Sequence, residues 1–447
     1  MHDDELDILK SALDVLAEGH GDLLPKAADH DWQRIRDVLV QTARRMHDNY
    51  PYHAPLYAGQ MLKPPHPVAR LAYALSLWIN PNNHALDGGR ASSAMEKSIV
   101  ERLARLYGWS DCLGHLTGGG TMANLEALWV AGRLHPGKAI LASTQAHYTH
   151  ARITEVLGLP FEPVPVTADG RMDPTALEQR LTAGDVGTIV ATLGTTGLGA
   201  VDPLDDILEL AKRHGARVHA DAAYGGYFGL CDKLTAQPRA AYDRLADVDS
   251  IVVDPHKHGL QPYGCGSVLF RDPSVGRFYR HGSPYTYFSS TELHLGEISL
   301  ECSRPGAAAV ALWATLELLP LERGGEFSQM LDACLEAARD LRARLHASPR
   351  FAPVHDPDLD IVVYAVARDS YSEAGAAARD VFERAADRDL HLALIELPAP
   401  MVADALPGAR PDAESLSCLR SVLMKPEHRA TVPEIVRILE DCAGDSP

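Results

Sequence analysis

The chain has 447 residues, 46% hydrophobic and 23% charged, which suits a globular protein with one large domain and a smaller partner, or with two or three domains. Its 42 basic and 60 acidic residues give a net charge of −18, which disfavours nucleic acid or an anionic membrane as the main partner. Seven cysteines, scattered and without a C-x-x-C, exclude a disulfide framework and a zinc signature, so no metal site is expected.

The acidic start, residues 1–5, has no signal-peptide pattern and no apolar run reaches membrane-spanning length. The expected compartment is therefore the cytoplasm. Residues 5–48 carry two helical patterns, first Leu6, Leu9, Leu13 and Leu16, then Ile35, Leu39, Val40 and Ala43. Such helices pack either on a second subunit or within their own. A proline-rich extended passage, 51–67, leads to an apolar helix around 71–78 and a turn at Asn80-Pro81-Asn82-Asn83. A polar loop at 88–93 and an amphipathic helix at 95–107 follow.

From about residue 112, helices alternate with short buried strands, predicted at 139–142, 188–193, 217–220, 250–253 and 267–270. One connecting helix is predicted over 202–214, with Pro203, Asp205 and Asp206 in its first turn. The alternation predicts an α/β fold with a mostly parallel sheet covered on both faces, and ligands of such sheets bind beyond the carboxyl ends of the strands. A long helix over 307–319 leads to Arg323-Gly324-Gly325, read as a domain boundary. Beyond it, helices at 327–346 and 373–388 and strands at 361–366, 391–395 and 416–423 read as a small α+β domain. The expected division is an N-terminal helical and extended segment (1–65), a large domain (66–322) and a small C-terminal domain (323–447).

The predicted strand ends carry the chemistry. Ile251-Val252-Val253 stops at Asp254-Pro255, where proline breaks the ladder, so Lys257 stands just past a buried strand between His256 and His258. Desolvation and neighbouring cations make such an amine a nucleophile toward a carbonyl; the alternative is a loop lysine in water. Thr117-Gly118-Gly119-Gly120-Thr121 precedes an amphipathic helix, an arrangement that lets backbone N–H groups meet an anion, though glycine-rich turns also serve only as turns. His147 follows the strand at 139–142 and either caps the next element or meets a bound ring. Gly194-Thr195-Thr196-Gly197 follows the strand at 188–193 and offers two hydroxyls, or is a plain turn. Asp221 ends the strand at 217–220 among small apolar residues, and a buried carboxylate there needs a cation or hydrogen bonds unless it only caps the next helix. An anion cradle, an aromatic base, hydroxyls, a buried carboxylate and a nucleophilic amine are what a cofactor with a phosphate, a ring nitrogen and an aldehyde requires. Pyridoxal 5′-phosphate (PLP) is that cofactor.

The strings GGGTMANLEAL, QAHYTHA, ATLGTTGLGAVDPL, HADAAYGGYF, DPHKHGLQPYGCGSVLF and LSCLRSVLMKPEH stand in this order along the chain. In them the sequence resembles the group II PLP-dependent amino-acid decarboxylases, closest to the bacterial and archaeal tyrosine/aspartate decarboxylase branch. Sphingosine-phosphate lyase-like proteins are similar over the same blocks. The resemblance implies a fold-type-I, aminotransferase-like architecture with a seven-stranded sheet in the large domain, and decarboxylation of an L-amino acid to its amine and CO₂. A PLP-dependent carbon–carbon lyase or aldolase and a non-catalytic binding protein of the same fold are the alternatives.

Carried over residue by residue, the resemblance makes Lys257 the Schiff-base lysine and Asp221 the partner of the pyridinium nitrogen. His147 would stack on one face of the ring, with Ala223 on the other. Gly120 and Thr121, assisted by His256, would hold the phosphate, and Thr196 would lie near the phenolic oxygen. Arg420 aligns with an arginine that can meet a substrate carboxylate. Tyr285 and Tyr287 fall where the family carries a catalytic loop tyrosine. Where many relatives have an acid, this chain has Met122. The resemblance also implies a homodimer with shared sites. Substrate selection is expected from residues 55–95, including Tyr57, Gln60, Trp78, His84 and Arg90, where Arg90 would suit an acidic side chain and the aromatics an aromatic one.

Overall fold

The computed structural model describes residues 3–20, 29–280 and 293–444. Strands β1 (Leu113–Thr117), β2 (Ala139–Ser143), β3 (Phe161–Val164), β4 (Val186–Thr192), β5 (Arg217–Asp221), β6 (Ser250–Val253) and β7 (Gly266–Phe270) form a seven-stranded sheet in the order β1-β7-β6-β5-β4-β2-β3. Pairing is parallel from β3 through β2, β4 and β5 to β6, and only β7 runs antiparallel to both its neighbours. Two reversals cancel, so β1 points the same way as β6. The carboxyl ends of six strands therefore share one edge, and that edge holds the site.

Every residue of β2, β4, β6 and β7 is buried. This is the condition of strands covered on both faces, and it makes their sequences read as continuous apolar runs. The pleat divides them. Ile251 and Val253 face one core cluster with Ile189, Val218 and Leu269. Val252 faces the other way, against Ala123, Ala127 and Val130 of the helix Gly120–Leu134.

Four further strands, β8 (Phe351–Pro353), β9 (Ile361–Val366), β10 (Ala393–Pro398) and β11 (Ser415–Val422), make a smaller antiparallel sheet in the order β10-β11-β9-β8. The helices Glu326–Ala347, Tyr371–Ala386 and His428–Gly444 pack on it through Leu341, Val381 and Ile435. The extended passage near residue 58 docks here too. The Ala58 N–H donates to the His391 carbonyl, and the Ala58 carbonyl accepts from the Val422 N–H, both at 2.8 Å.

Three local expectations are corrected. The expected loop at 88–93 lies within the helix Leu86–Leu106; Gly89 departs from helical geometry (φ −172°, ψ 65°) and only kinks it. The helix expected from residue 202 is Leu204–His214, with Pro203 as its cap. Asp202 is instead buried, accepting from the N–H groups of Met172 (2.7 Å) and Thr192 (2.8 Å). Burial pushes its carboxyl up to about 7. Strands β1 and β3 were not among those expected: Gly114 and His115 interrupt the apolar pattern of the first, and Pro163 that of the second. As β3 is an edge strand, its proline forfeits no ladder bond on the open side.

Candidate active site

A cavity of about 510 Å³ opens at the shared strand edge, and Gly120, His147, Thr196, Asp221, His256 and Lys257 all line it. The size is ordinary for a cofactor or ligand site. Its floor comes from the glycine loop after β1. Gly119 sits at φ +150°, a backbone state that favours glycine, and the helix Gly120–Leu134 starts there with no side-chain cap. The first N–H groups of that helix are therefore left for a ligand. Space demands glycine as well. A Cβ on Gly120 would lie 2.7 Å from Asp254 Oδ2, and one on Gly266 of β7 would lie 2.6 Å from the Gly119 carbonyl carbon.

Asp221 ends β5 with its side chain buried. His150 Nε2 lies 2.8 Å from Asp221 Oδ2, and the Ala223 N–H donates to Oδ1 at 3.1 Å. Burial alone would raise the carboxyl. The hydrogen bond from His150 and the nearby His150, His219 and Lys257 reverse that and hold it well below the usual carboxylate range. Asp221 is thus an anion at any ordinary pH.

Lys257 follows β6 within the turn after Pro255. Its Nζ lies 3.1 Å from Asp254 Oδ2. Asp254 is itself buried, and its second oxygen, Oδ1, has no hydrogen-bond partner among the described residues; the same is true of Thr192 Oγ1 in the cavity wall. His256 Nδ1 bonds to the Cys265 carbonyl at 2.8 Å, which aims its Cε1 edge at the glycine loop. His147 Nδ1 accepts from the Thr149 N–H at 3.3 Å, with the Thr149 hydroxyl at 2.8 Å, so the ring's proton sits on Nε2. Burial lowers the His147 and His256 pKa values, which keeps both rings neutral.

Three expected residues stand elsewhere. Arg420 is buried on β11, and it donates from Nε to the Gly197 carbonyl (3.0 Å) and from Nη2 to the Thr196 carbonyl (2.7 Å). It ties the small sheet to the threonine turn and does not line the cavity. Gln60 lines a separate cavity of about 300 Å³ with Tyr50, Tyr52 and Tyr57, because its segment is docked on the small sheet. Arg90 is exposed on the helix Leu86–Leu106. Tyr285 and Tyr287 lie outside the described residues.

Two residues of the site had no sequence reading. In the sequence Asp254 reads only as a strand stop, yet it is the ion-pair partner of Lys257. His150 lies in the first turn of the helix Thr149–Leu157, and nothing in the sequence singles it out among 21 histidines.

The donor set fits a group with one dianionic arm, one basic ring nitrogen and one electrophilic carbon. The cradle lacks a Cβ where the arm would dock, an anionic carboxylate faces the cavity, and a primary amine reaches it. Two buried oxygens in its wall still lack partners. On this fold, such a cavity defines a PLP enzyme of fold type I.

Comparison with known proteins narrows the class. Residues 53–367 match the pyridoxal-dependent decarboxylase conserved domain, and the chain belongs to that family. It is 26% identical to the L-tyrosine decarboxylase of Enterococcus faecium, over 78% of this chain and 75% of that one. It is 28% identical to the L-aspartate decarboxylase of Thermococcus kodakarensis, over 73% and 84% of the two chains. Among solved structures, Oryza sativa TDC with PLP and tryptamine superposes with a TM-score of 0.77 at 18% identity, covering 99% of each chain. The protein is a PLP-dependent amino-acid decarboxylase.

Proposed function

We propose that the protein removes the α-carboxylate of an L-amino acid, with Lys257 holding the cofactor's aldehyde carbon, Asp221 its ring nitrogen, and Gly120 and Thr121, with His256, its phosphate. His147, Ala223 and Thr196 also line the cavity, where the first two would flank the ring and the third would serve its phenolic oxygen. The observation that carries this reading is the convergence of Lys257 and the anionic Asp221 on one cavity above the glycine cradle.

When bound, PLP supplies an electron sink for the pair left on Cα as CO₂ departs. Asp221 keeps a proton at the ring nitrogen, and His150 keeps Asp221 oriented and ionised in a site shielded from water. The neutral His147 ring packs without adding a second positive charge. Asp254 would hold the Lys257 amine within the cavity once a substrate amine has taken its place on the cofactor. The small sheet fixes the Thr196–Gly197 turn through Arg420. The return of a proton to Cα needs a positioned acid, for which Tyr285 and Tyr287 remain the proposed donors.

The second subunit belongs to the same proposal. In the helix Trp32–Met46 no residue is buried, and Trp32 is 67%, Leu39 63% and Met46 62% exposed. An amphipathic helix of 15 residues does not hold its form alone in water, so a homodimer that covers it supports the reading. Light scattering at micromolar concentration should give a dimer, and a monomer would contradict it. The resemblance implies shared sites, in which Tyr285 and Tyr287, outside the described residues, would serve the partner's reaction. Mixing inactive Lys257→Ala protomers with inactive Tyr285→Phe/Tyr287→Phe protomers should restore up to about half activity per heterodimer. No described helix is long and apolar enough to cross a membrane. None of the seven cysteines, all of them described, forms a disulfide, which supports a place in the reducing cytoplasm.

The test is CO₂ release from a panel of aromatic, acidic and other L-amino acids. The relatives act on tyrosine and aspartate by name, and the expected result is stoichiometric CO₂ and amine from one such class. Aldehyde formed from a phosphorylated amino alcohol, without CO₂, would instead mark a carbon–carbon lyase.

A further inference from the structure

We propose that Asp360 is a positioning residue for Lys257, gripping from the small sheet both the lysine's neighbour His258 and the cavity wall at Tyr224. The inference rests on the assignment of Lys257 above. Asp360 lies just before β9 and is wholly buried. The Tyr224 hydroxyl donates to Asp360 Oδ1 at 2.6 Å, and His258 Nε2 lies 3.1 Å from Oδ2. Tyr224 lines the same cavity as Lys257. One carboxylate therefore touches the lysine's loop and the site's wall together.

The His258 ring has little freedom. Tyr224 and Phe228 meet it edge-on, each with ring centroids at 4.8 Å. The backbone beyond is equally confined: a Cβ on Gly259 would lie 2.5 Å from Pro255 Cα, and Gln261 Nε2 donates to the Gly259 carbonyl at 3.0 Å. Before the lysine, its N–H donates to the Asp254 carbonyl at 2.9 Å. Lys257 is thus held from both sides, and the hold on its far side ends on Asp360.

Stability alone is a poor account of this arrangement. Burial by itself would raise the Asp360 carboxyl, but His258, Tyr224 and nearby Lys63 more than offset this and keep it below its ordinary value. A buried charge among such partners often contributes little net stability compared with apolar packing. What it does supply is direction, since Oδ1 accepts the Tyr224 proton and Oδ2 stands at ion-pair distance from His258, although off the alignment of a hydrogen bond. A displacement of about 1 Å in a reacting group can cost roughly 10²-fold in rate.

The test uses full-length holoenzyme at a temperature well below its melting point. Asp360→Asn should lower kcat by about 10- to 100-fold with little change in KM, and should weaken the circular dichroism of the bound cofactor's visible band. His258→Asn, which releases the same grip from the other end, should reproduce both effects. The double variant should then be no worse than the poorer single, whereas independent contributions would multiply. A purely structural role would lower the melting temperature and leave kcat and the visible dichroism of the folded protein unchanged. Wild-type kcat and dichroism in Asp360→Asn, or multiplied losses in the double variant, would overturn the proposal. If Asp360→Asn does not fold, His258→Asn decides alone, and wild-type dichroism there overturns it. A wild-type protein with no cofactor band would overturn the Lys257 assignment along with this one.

Discussion

Lys257→Ala is expected to reduce CO₂ release by about 10⁴-fold or more and to leave the cofactor bound only non-covalently. Among the described residues that line the cavity, Lys257 is the one primary amine, and its neighbours do not replace it: burial lowers the pKa of His147 and His256, and Asp221 and Asp254 are acids. The variant also leaves Asp254 buried without its partner at 3.1 Å, so folding stability should fall by about 1–3 kcal/mol in urea unfolding. Retention of activity within tenfold would mean that another amine carries the chemistry.

Asp221→Asn is expected to cost about 10³-fold in kcat, roughly 4 kcal/mol of barrier, while the cofactor still binds. The amide keeps the shape of the carboxylate but carries no charge with which to hold a proton at the ring nitrogen. Because the Asp221 carboxyl is depressed below its unfolded value of 3.8, its stabilising effect is complete above that pH and is lost only as pH falls through the lower, folded value. The acid limb of a wild-type pH–rate profile should therefore not report this group. A near-normal kcat in Asp221→Asn would remove it from the proposed mechanism.

What the sequence revealed follows from how each residue is placed. Lys257 and Asp221 were legible because each sits at the end of a short, wholly buried strand, where an apolar run stops at a polar residue. His147 and the glycine cradle were legible for a related reason, since loops after parallel strands share one edge of the sheet. His150 and Asp254 were not. Their roles depend on pairs formed across elements or around a turn, at 2.8 Å and 3.1 Å, and no periodicity marks such pairs. Arg420 was legible in place but not in partners. Its position on β11 was foreseen, but its protons go to two backbone carbonyls of the threonine turn, a partnership that leaves no trace in side-chain pattern. Gln60 and Arg90 were expected to select the substrate, and the docking of residue 58 onto the small sheet, which sets Gln60 in a second cavity, could not be read from the sequence. Gly89 misled for a local reason: a glycine pair usually ends a helix, but here the chain kinks and resumes.

The central claim is that Lys257 carries the cofactor, and the most direct measurement is borohydride reduction of the holoenzyme followed by peptide mass analysis. The account predicts loss of the visible absorption band and a single pyridoxyl-phosphate adduct on the peptide containing Asp254-Pro255-His256-Lys257. An adduct on any other lysine, or unlabelled Lys257 in protein that had shown the band, would contradict it.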